Sequence, residues 1–365
     1  MWDSHKSVDN PQSAPLHSSY PVMKAKETIK KPRKTTGAIT LREVSELAGV
    51  STISVSRAIN SPNLVTPKLL KKVQEVIEQT GYVPNKMAGG LASSRSKLIA
   101  AIVPSTVISV FMETIESLNS ALFDSGYQLM LGQSSYSKER EDLLLESIIG
   151  RRPDGIFLTG VLQPGKGRNR LIASGIPVVE TWDLTPTPID MLIGFSHSDI
   201  GIAVAKFFID KGHKNFAIVT AEDERADRRN TAFCKTVTDA GFKSPFIVNV
   251  GSTRTLRRGR DAMNEIRVHS KKIDAVFCTS DLLAMGVVSE ARDQKIHIPN
   301  ELAVMGFGNV PFVSDLTPSL STVGINGKTI GEMAARCLIE RAEGNKVTPS
   351  ILDIGFTIIE RETTR

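Results

Sequence analysis

A chain of 365 residues, 41% hydrophobic and 23% charged, is too long for a typical single domain and too apolar for a disordered one, so two or three folded domains are expected. No run approaches the roughly 18 apolar residues of a membrane span, no apolar h-region follows the N-terminus, and three scattered cysteines (Cys234, Cys278, Cys337) give neither a disulfide framework nor a zinc cluster. The formal charge of +6 is unevenly placed: residues 1–97 hold 15 Lys and Arg against 7 Asp and Glu, the remainder 30 against 32, so a basic module precedes a near-neutral body.

These features point to a cytoplasmic protein with a polyanionic partner, no membrane partner, no metal and no cofactor. Residues 1–38, rich in Ser, Pro and Lys with few large apolar groups, read as a disordered basic extension. Thr40-Leu41-Arg42-Glu43 then fits a capping box, and Leu41, Val44, Leu47 and Ala48 follow at helical spacing. Gly49-Val50 breaks this helix, and Ser51 caps a second that runs to about Ile59. Thr66-Pro67 is a cap followed by a proline at the first helical position. The third helix turns Leu69, Leu70, Val73, Val76 and Ile77 inward and stops before Gly81. Three short helices with a tight turn between the first two make a helix-turn-helix headpiece over residues 39–84.

The second helix carries Val50, Val55, Ala58 and Ile59 inward and leaves Thr52, Ile53, Ser54, Ser56 and Arg57 at its start and outer face. Small hydroxyl residues let a helix sink into a groove, arginine binds guanine through two hydrogen bonds, and an exposed isoleucine suits a thymine methyl. A merely solvated amphipathic helix is the alternative. The pattern AGVS…VSR…N followed by GYVPN…A…LA resembles the headpiece of LacI/GalR-type bacterial repressors. That resemblance implies operator contacts at Thr40, Ser51, Thr52, Ile53, Ser54, Ser56, Arg57, Asn60, Thr66 and Asn85. It also implies a hinge at 85–97 that becomes helical on DNA and wedges Leu91, followed by Ala92, into the minor groove. Gly89 and Gly90 depart from the family's usual residues there and weaken such a helix by about 1 kcal/mol each relative to alanine.

From Leu98 onward, short apolar runs (KLIAAIVPS, YQLMLGQ, GIFLTG, IPVVETW, NFAIVTA, DAVFCTS, ELAVMGFG) alternate with amphipathic helices such as 110–125, 138–150, 200–211 and 281–293. This alternation predicts an α/β body, 98–365, of two parallel-sheet subdomains with ligand between them at the strand ends. The body resembles the periplasmic-binding-protein-like sensor of the same family. Within the family it is similar to the gluconate-operon repressor branch, in IVPSTVISVFMETIESLN, GYQLMLGQSSYSKEREDLLLESI, GIPVVETWDLTPTPIDMLIGF, DER at 223–225, and VTPSILDIGFT at 347–357.

The resemblance implies chain crossings near 195, 324 and 348 (194–196, 322–326 and 346–350) and, with no long heptad tail following Arg365, a homodimer. It implies a sugar-acid effector: gluconate first, then another aldonate such as idonate, a neutral sugar or a phosphosugar. Arg229 would hold the carboxylate, with Arg225 and Arg228 as rivals. Asp281, Glu180, Asp183, Ser105, Phe111 and Asn309 would meet the remaining groups. Ala232 stands where the family has glycine, and Trp182 where many members have aspartate.

GVLQPGKG at 160–167 nearly spells a phosphate-binding loop but has Gly167 where a magnesium-binding hydroxyl belongs, and His197 and His213 stand without an acid or metal-ligand spacing. They read as capping or packing residues. The protein is therefore expected not to be an enzyme. A sugar-binding or sugar-processing α/β protein with an incidental basic N-terminus is the competing class.

Overall fold

The computed structural model describes residues 39–84, 95–105 and 110–365; the expected N-terminal extension and the hinge positions Asn85, Gly89, Gly90, Leu91 and Ala92 lie outside the described residues. The chain divides into two units with the boundary between Asn85 and Lys86.

In the first unit, α1 (Leu41–Leu47), α2 (Thr52–Asn60) and α3 (Pro67–Thr80) surround a small core of Val44, Ala48, Val55, Ala58 and Val73. Each helix begins on a hydroxyl that accepts from the backbone three residues on: Thr40 from Glu43, Ser51 from Ser54, Thr66 from Leu69. The Glu43 carboxylate returns to the Thr40 N–H at 2.7 Å and completes the capping box. Gly49, at φ +58°, makes the left-handed step between α1 and α2 that a residue with a Cβ rarely takes. Leu47, which follows Val44 at helical spacing, is 62% exposed. So short a helix seats Val44 and Ala48, one turn apart, against its neighbours, and Leu47 falls beside that contact.

The second unit holds two sheets. The first half runs β1 (Leu98–Val103), α4 (Met112–Asp124), β2 (Gln128–Gln133), α5 (Lys138–Ile149), β3 (Gly155–Thr159), α6 (Lys166–Ser174), β4 (Val178–Thr181) and β5 (Met191–Gly194). The second half runs α7 (His197–Asp210), β6 (Phe216–Thr220), α8 (Glu224–Asp239), β7 (Phe246–Asn249), α9 (Leu256–His269), β8 (Ala275–Cys278), α10 (Asp281–Asp293), β9 (Ala303–Gly308) and β10 (Ser321–Gly324). Then α11 (Gly327–Ala342) and β11 (Ile351–Asp353) return to the first half, and β12 (Thr357–Ile359) closes the second. The strand orders are β11-β5-β4-β3-β1-β2, all parallel, and β12-β10-β9-β8-β6-β7, parallel except for the antiparallel β12. Central strands such as β1 (LIAAIV) and β8 (AVFC) are apolar throughout because helices cover both faces.

The chain leaves the first sheet at 195–196, returns at 325–326 and crosses finally at 354–356. This last crossing corrects the expected one at 346–350. Ile351 to Asp353 still pair with β5, and the turn comes only where Gly355 N donates to Asp353 Oδ1 at 2.9 Å. Helices α7 and α8 pack closely through Gly201, where a Cβ would stand 2.1 Å from the carbonyl oxygen of Arg229. The absent side chain is what lets α8 sit low enough to carry Arg229 into the interior.

Candidate functional site

A cleft of about 610 Å³ opens between the two halves of the second unit. Segments following β1, β2 and β4 wall it on one side; segments following β6, β7, β8 and β9 wall it on the other. This is where parallel sheets place ligands, because the strand ends leave side chains and backbone N–H groups pointing into a crevice.

Of the residues expected there, Ser105, Phe111, Arg229 and Asp281 line the cleft, and so does Arg225. Glu180, Asp183 and Asn309 do not. Glu180 is fully buried beneath the cleft wall and accepts from Leu162 N (2.9 Å) and Ile189 N (2.7 Å), with Arg168 at 3.5 Å. It ties down two loops, one of them the segment that nearly spelled a phosphate site. Asp183 is ion-paired with Arg228 and accepts from Leu184 N. Asn309 sits at φ +53° and accepts from Arg361 Nη2 at 2.8 Å.

Three guanidiniums converge on the cleft around one carboxylate. Asp223, the N-cap of α8, pairs with Arg225 (3.2 Å) and Arg254 (2.9 Å). Burial alone would raise its pKa, but Arg225, Arg229 and Arg254 outweigh it and hold the carboxyl well below its usual range. Arg225 also lies over the Phe111 ring, and Arg254 over the Tyr136 ring at 4.5 Å, one partner from each half. Arg229 stacks on Phe307 at 4.1 Å and donates Nη1 to His197 Nδ1 at 2.8 Å. Burial is the largest influence on Arg229, and with Arg225 and Arg254 it lowers the pKa to about 9, still protonated at neutral pH.

Among the described residues, two buried donors in this group, Arg229 Nε and Arg254 Nη1, have no hydrogen-bond partner. Buried N–H groups are ordinarily satisfied, so the pair marks where an acceptor belongs. Asp281, at the start of α10, supplies the opposite chemistry. It accepts from Thr322 Oγ1 (2.6 Å) and Val310 N (2.9 Å), with no cation in direct contact among the described residues. The arrangement provides an anion site beside a carboxylate able to receive hydroxyl groups.

Sequence reasoning missed Arg254, Tyr136 and His197. Arg254 lies in the irregular segment after β7, where no spacing signals a role; its position beyond a strand end was the available hint. His197, read as a capping or packing residue, is the first residue of α7 and lines the cleft.

The headpiece presents a separate surface. Ser51, Thr52, Arg57 and Asn60 are exposed on α2, Ser54 and Ser56 are half-buried, and Ile53 is 68% exposed. Asn60 Nδ2 donates to the Ser56 carbonyl at 3.0 Å, and Thr40 and Thr66 stand exposed at helix N-termini. Helix N-termini with free N–H groups and hydroxyl caps suit phosphate oxygens.

Residues 40–85 match the family described as bacterial regulatory proteins of the lacI family, and residues 205–364 match a periplasmic binding protein-like domain. The HTH-type transcriptional regulator GntR of Pseudomonas aeruginosa is 32% identical over 336 residues, 92% of this chain and 98% of that protein. The HTH-type transcriptional regulator GntR of Escherichia coli K12 is 30% identical over 87% of this chain and 96% of its own length. The crystal structure of a LacI-family transcriptional regulator from Silicibacter pomeroyi, 30% identical, aligns with a TM-score of 0.84 over 90% of this chain and 100% of that one.

Proposed function

The chain belongs to the LacI family of bacterial regulatory proteins, a transcriptional repressor by descent, and we propose that it binds a palindromic operator as a homodimer and is released by a sugar acid, gluconate foremost. In this reading residues 39–84 read DNA, 85–97 form the hinge, and 98–365 bind effector and dimerise in the cytoplasm. Thr40, Ser51, Thr52, Ile53, Ser54, Ser56, Arg57, Asn60 and Thr66 face the operator, with Asn85, Leu91 and Ala92 of the hinge.

The observation that carries the effector assignment is the pair of guanidinium donors, Arg229 Nε and Arg254 Nη1, that have no partner among the described residues, in a cleft with three arginines. A neutral sugar offers no charge to match them; a carboxylate does. Asp281 then accepts from the effector's hydroxyls, and Phe111 and Phe307 offer apolar faces to its carbon chain.

The test is an operator gel shift with and without gluconate, with titration calorimetry on the same protein. Arg229→Ala is expected to bind operator as wild type does and to lose the gluconate response. The loss of a charge-assisted bond corresponds to about 1.5–3 kcal/mol, or at least tenfold in gluconate affinity. Arg254→Ala should weaken gluconate by a similar order. Release of Arg229→Ala from DNA at the wild-type gluconate concentration would move the carboxylate clamp to Arg254 and Arg225. Binding of a neutral sugar in preference to every aldonate would overturn the sugar-acid assignment.

A further inference from the structure

His197 is buried at the point where the chain first leaves the first sheet. Its Nε2 lies 3.0 Å from the carbonyl oxygen of Trp182, and its Nδ1 lies 2.8 Å from Arg229 Nη1. The partners decide the tautomer. A carbonyl oxygen only accepts, so Nε2 carries the proton; a guanidinium only donates, so Nδ1 offers its lone pair. An imidazolium would turn a second donor against Arg229. Burial, together with Arg229, Arg225 and Arg228, keeps the ring neutral with a pKa of about 2.

Both partners of the ring are themselves held. Trp182 stands at φ +63°, a left-handed conformation that a bulky residue keeps only where its surroundings enforce it. Its Nε1 donates to Thr114 Oγ1 at 3.2 Å, and its ring meets Phe111 and Phe195 edge-on at 4.9 and 5.7 Å. On the other side, Phe307 lies against the Arg229 guanidinium.

Arg229 has another acceptor within its field, the Asp223 carboxylate, which already bonds Arg225 and Arg254. Without an acceptor at Nη1, the guanidinium would gain by turning toward that carboxylate, and its remaining N–H groups would be withdrawn from an incoming anion. The imidazole supplies an acceptor without supplying a negative charge, so it orients Arg229 and leaves its charge uncancelled.

We propose that His197 is the positioning residue of the anion clamp: a neutral acceptor that fixes Arg229 away from Asp223 and ties it to the Trp182 backbone of the first sheet. The inference rests on the reading of the cleft as a sugar-acid site and concerns how its arginine is kept available.

Two substitutions separate this role from simple packing. In His197→Gln the amide offers one acceptor and one donor, as the ring does; in His197→Leu the volume is similar and neither is present. Gluconate titration should show His197→Gln within about threefold of wild type and His197→Leu weakened at least tenfold, the loss of one bond to a charged group. Operator affinity of the ligand-free proteins should be unchanged, and matching thermal melts establish that both variants fold. Equal losses in both variants, or no loss in either, would overturn the proposal. If wild type binds no sugar acid, the parent reading fails, and ¹⁵N spectra of arginine-labelled protein still decide this one. Rotation of the Arg229 guanidinium should be slow in wild type and His197→Gln and fast in His197→Leu; equal rates in all three would sink the positioning role.

Discussion

Asp281 and Asp223 are both carboxylates of one cleft, and their surroundings drive them apart. Asp223 lies among three arginines and stays ionised. At Asp281 burial dominates over the hydrogen bonds from Thr322, Val310 and Asn309 and the charge of Arg361, and pushes its pKa up to about 6. The folded value lies above the ordinary 3.8, so the folded state holds this proton more tightly than the unfolded chain does. Its stabilising contribution is complete below about pH 4 and is lost as pH rises through about 6. Compared with Asp281→Asn, which does not titrate, the ligand-free wild type should therefore lose stability over that interval by a difference of order 1–3 kcal/mol. Any cost of the amide itself is the same at every pH and cancels in the comparison. Urea unfolding of both proteins between pH 4 and pH 7 would show it, and parallel profiles would contradict the assignment. Gluconate affinity should rise over the same interval, since the ionised carboxylate is the better acceptor for hydroxyls.

Helix α2 makes a sharper statement. If it lies in the major groove, Arg57→Ala should cost about 1–3 kcal/mol per half-site on the specific operator while non-specific binding keeps its steep salt dependence. Competition assays with operator and scrambled duplex at several salt concentrations would measure both terms, and an unchanged operator preference would remove Arg57 from base reading. The headpiece was readable from sequence because its signals are local. Thr40, Ser51 and Thr66 cap helices through atoms three residues away, and Gly49 turns the chain at one backbone angle. Leu47 keeps the helical spacing yet stays exposed, because the width of a helix's buried face is set by its neighbours. The cleft was less readable for the same reason. Glu180, Asp183 and Asn309 stand at strand ends like true lining residues, but whether such a side chain enters the crevice or holds a loop depends on what packs behind it. Arg254 does enter it, from an irregular segment with no motif, and so does His197, from the first residue of α7. The stretch VTPSILDIGFT is divided between two sheets at Asp353 and Gly355.

Polar contacts join the two halves of the body across the cleft, beside the apolar cluster they share. Arg228 of α8 pairs with the buried Asp183 of the first half, Gln163 donates to Glu224 at 2.9 Å, and Tyr136 covers Arg254. On the proposed function, an effector seated between the halves can change operator affinity only by its differential affinity for the two arrangements of the body. Removing the Arg228 side chain leaves Asp183 buried with the Leu184 N–H and shifts the ligand-free body toward opening. Part of the effector's binding energy then goes into closure. Gluconate affinity of Arg228→Ala should fall although Arg228 does not line the cleft, by about threefold to tenfold for a half-exposed pair worth about 1 kcal/mol. Thermodynamic linkage supplies the control. Whatever factor gluconate takes from operator affinity, operator must take from gluconate affinity, in wild type and variant alike. Calorimetric titration of gluconate into free protein and into the protein–operator complex, beside operator titrations with and without gluconate, gives both factors. Unchanged gluconate affinity in Arg228→Ala would show that closure does not draw on this contact.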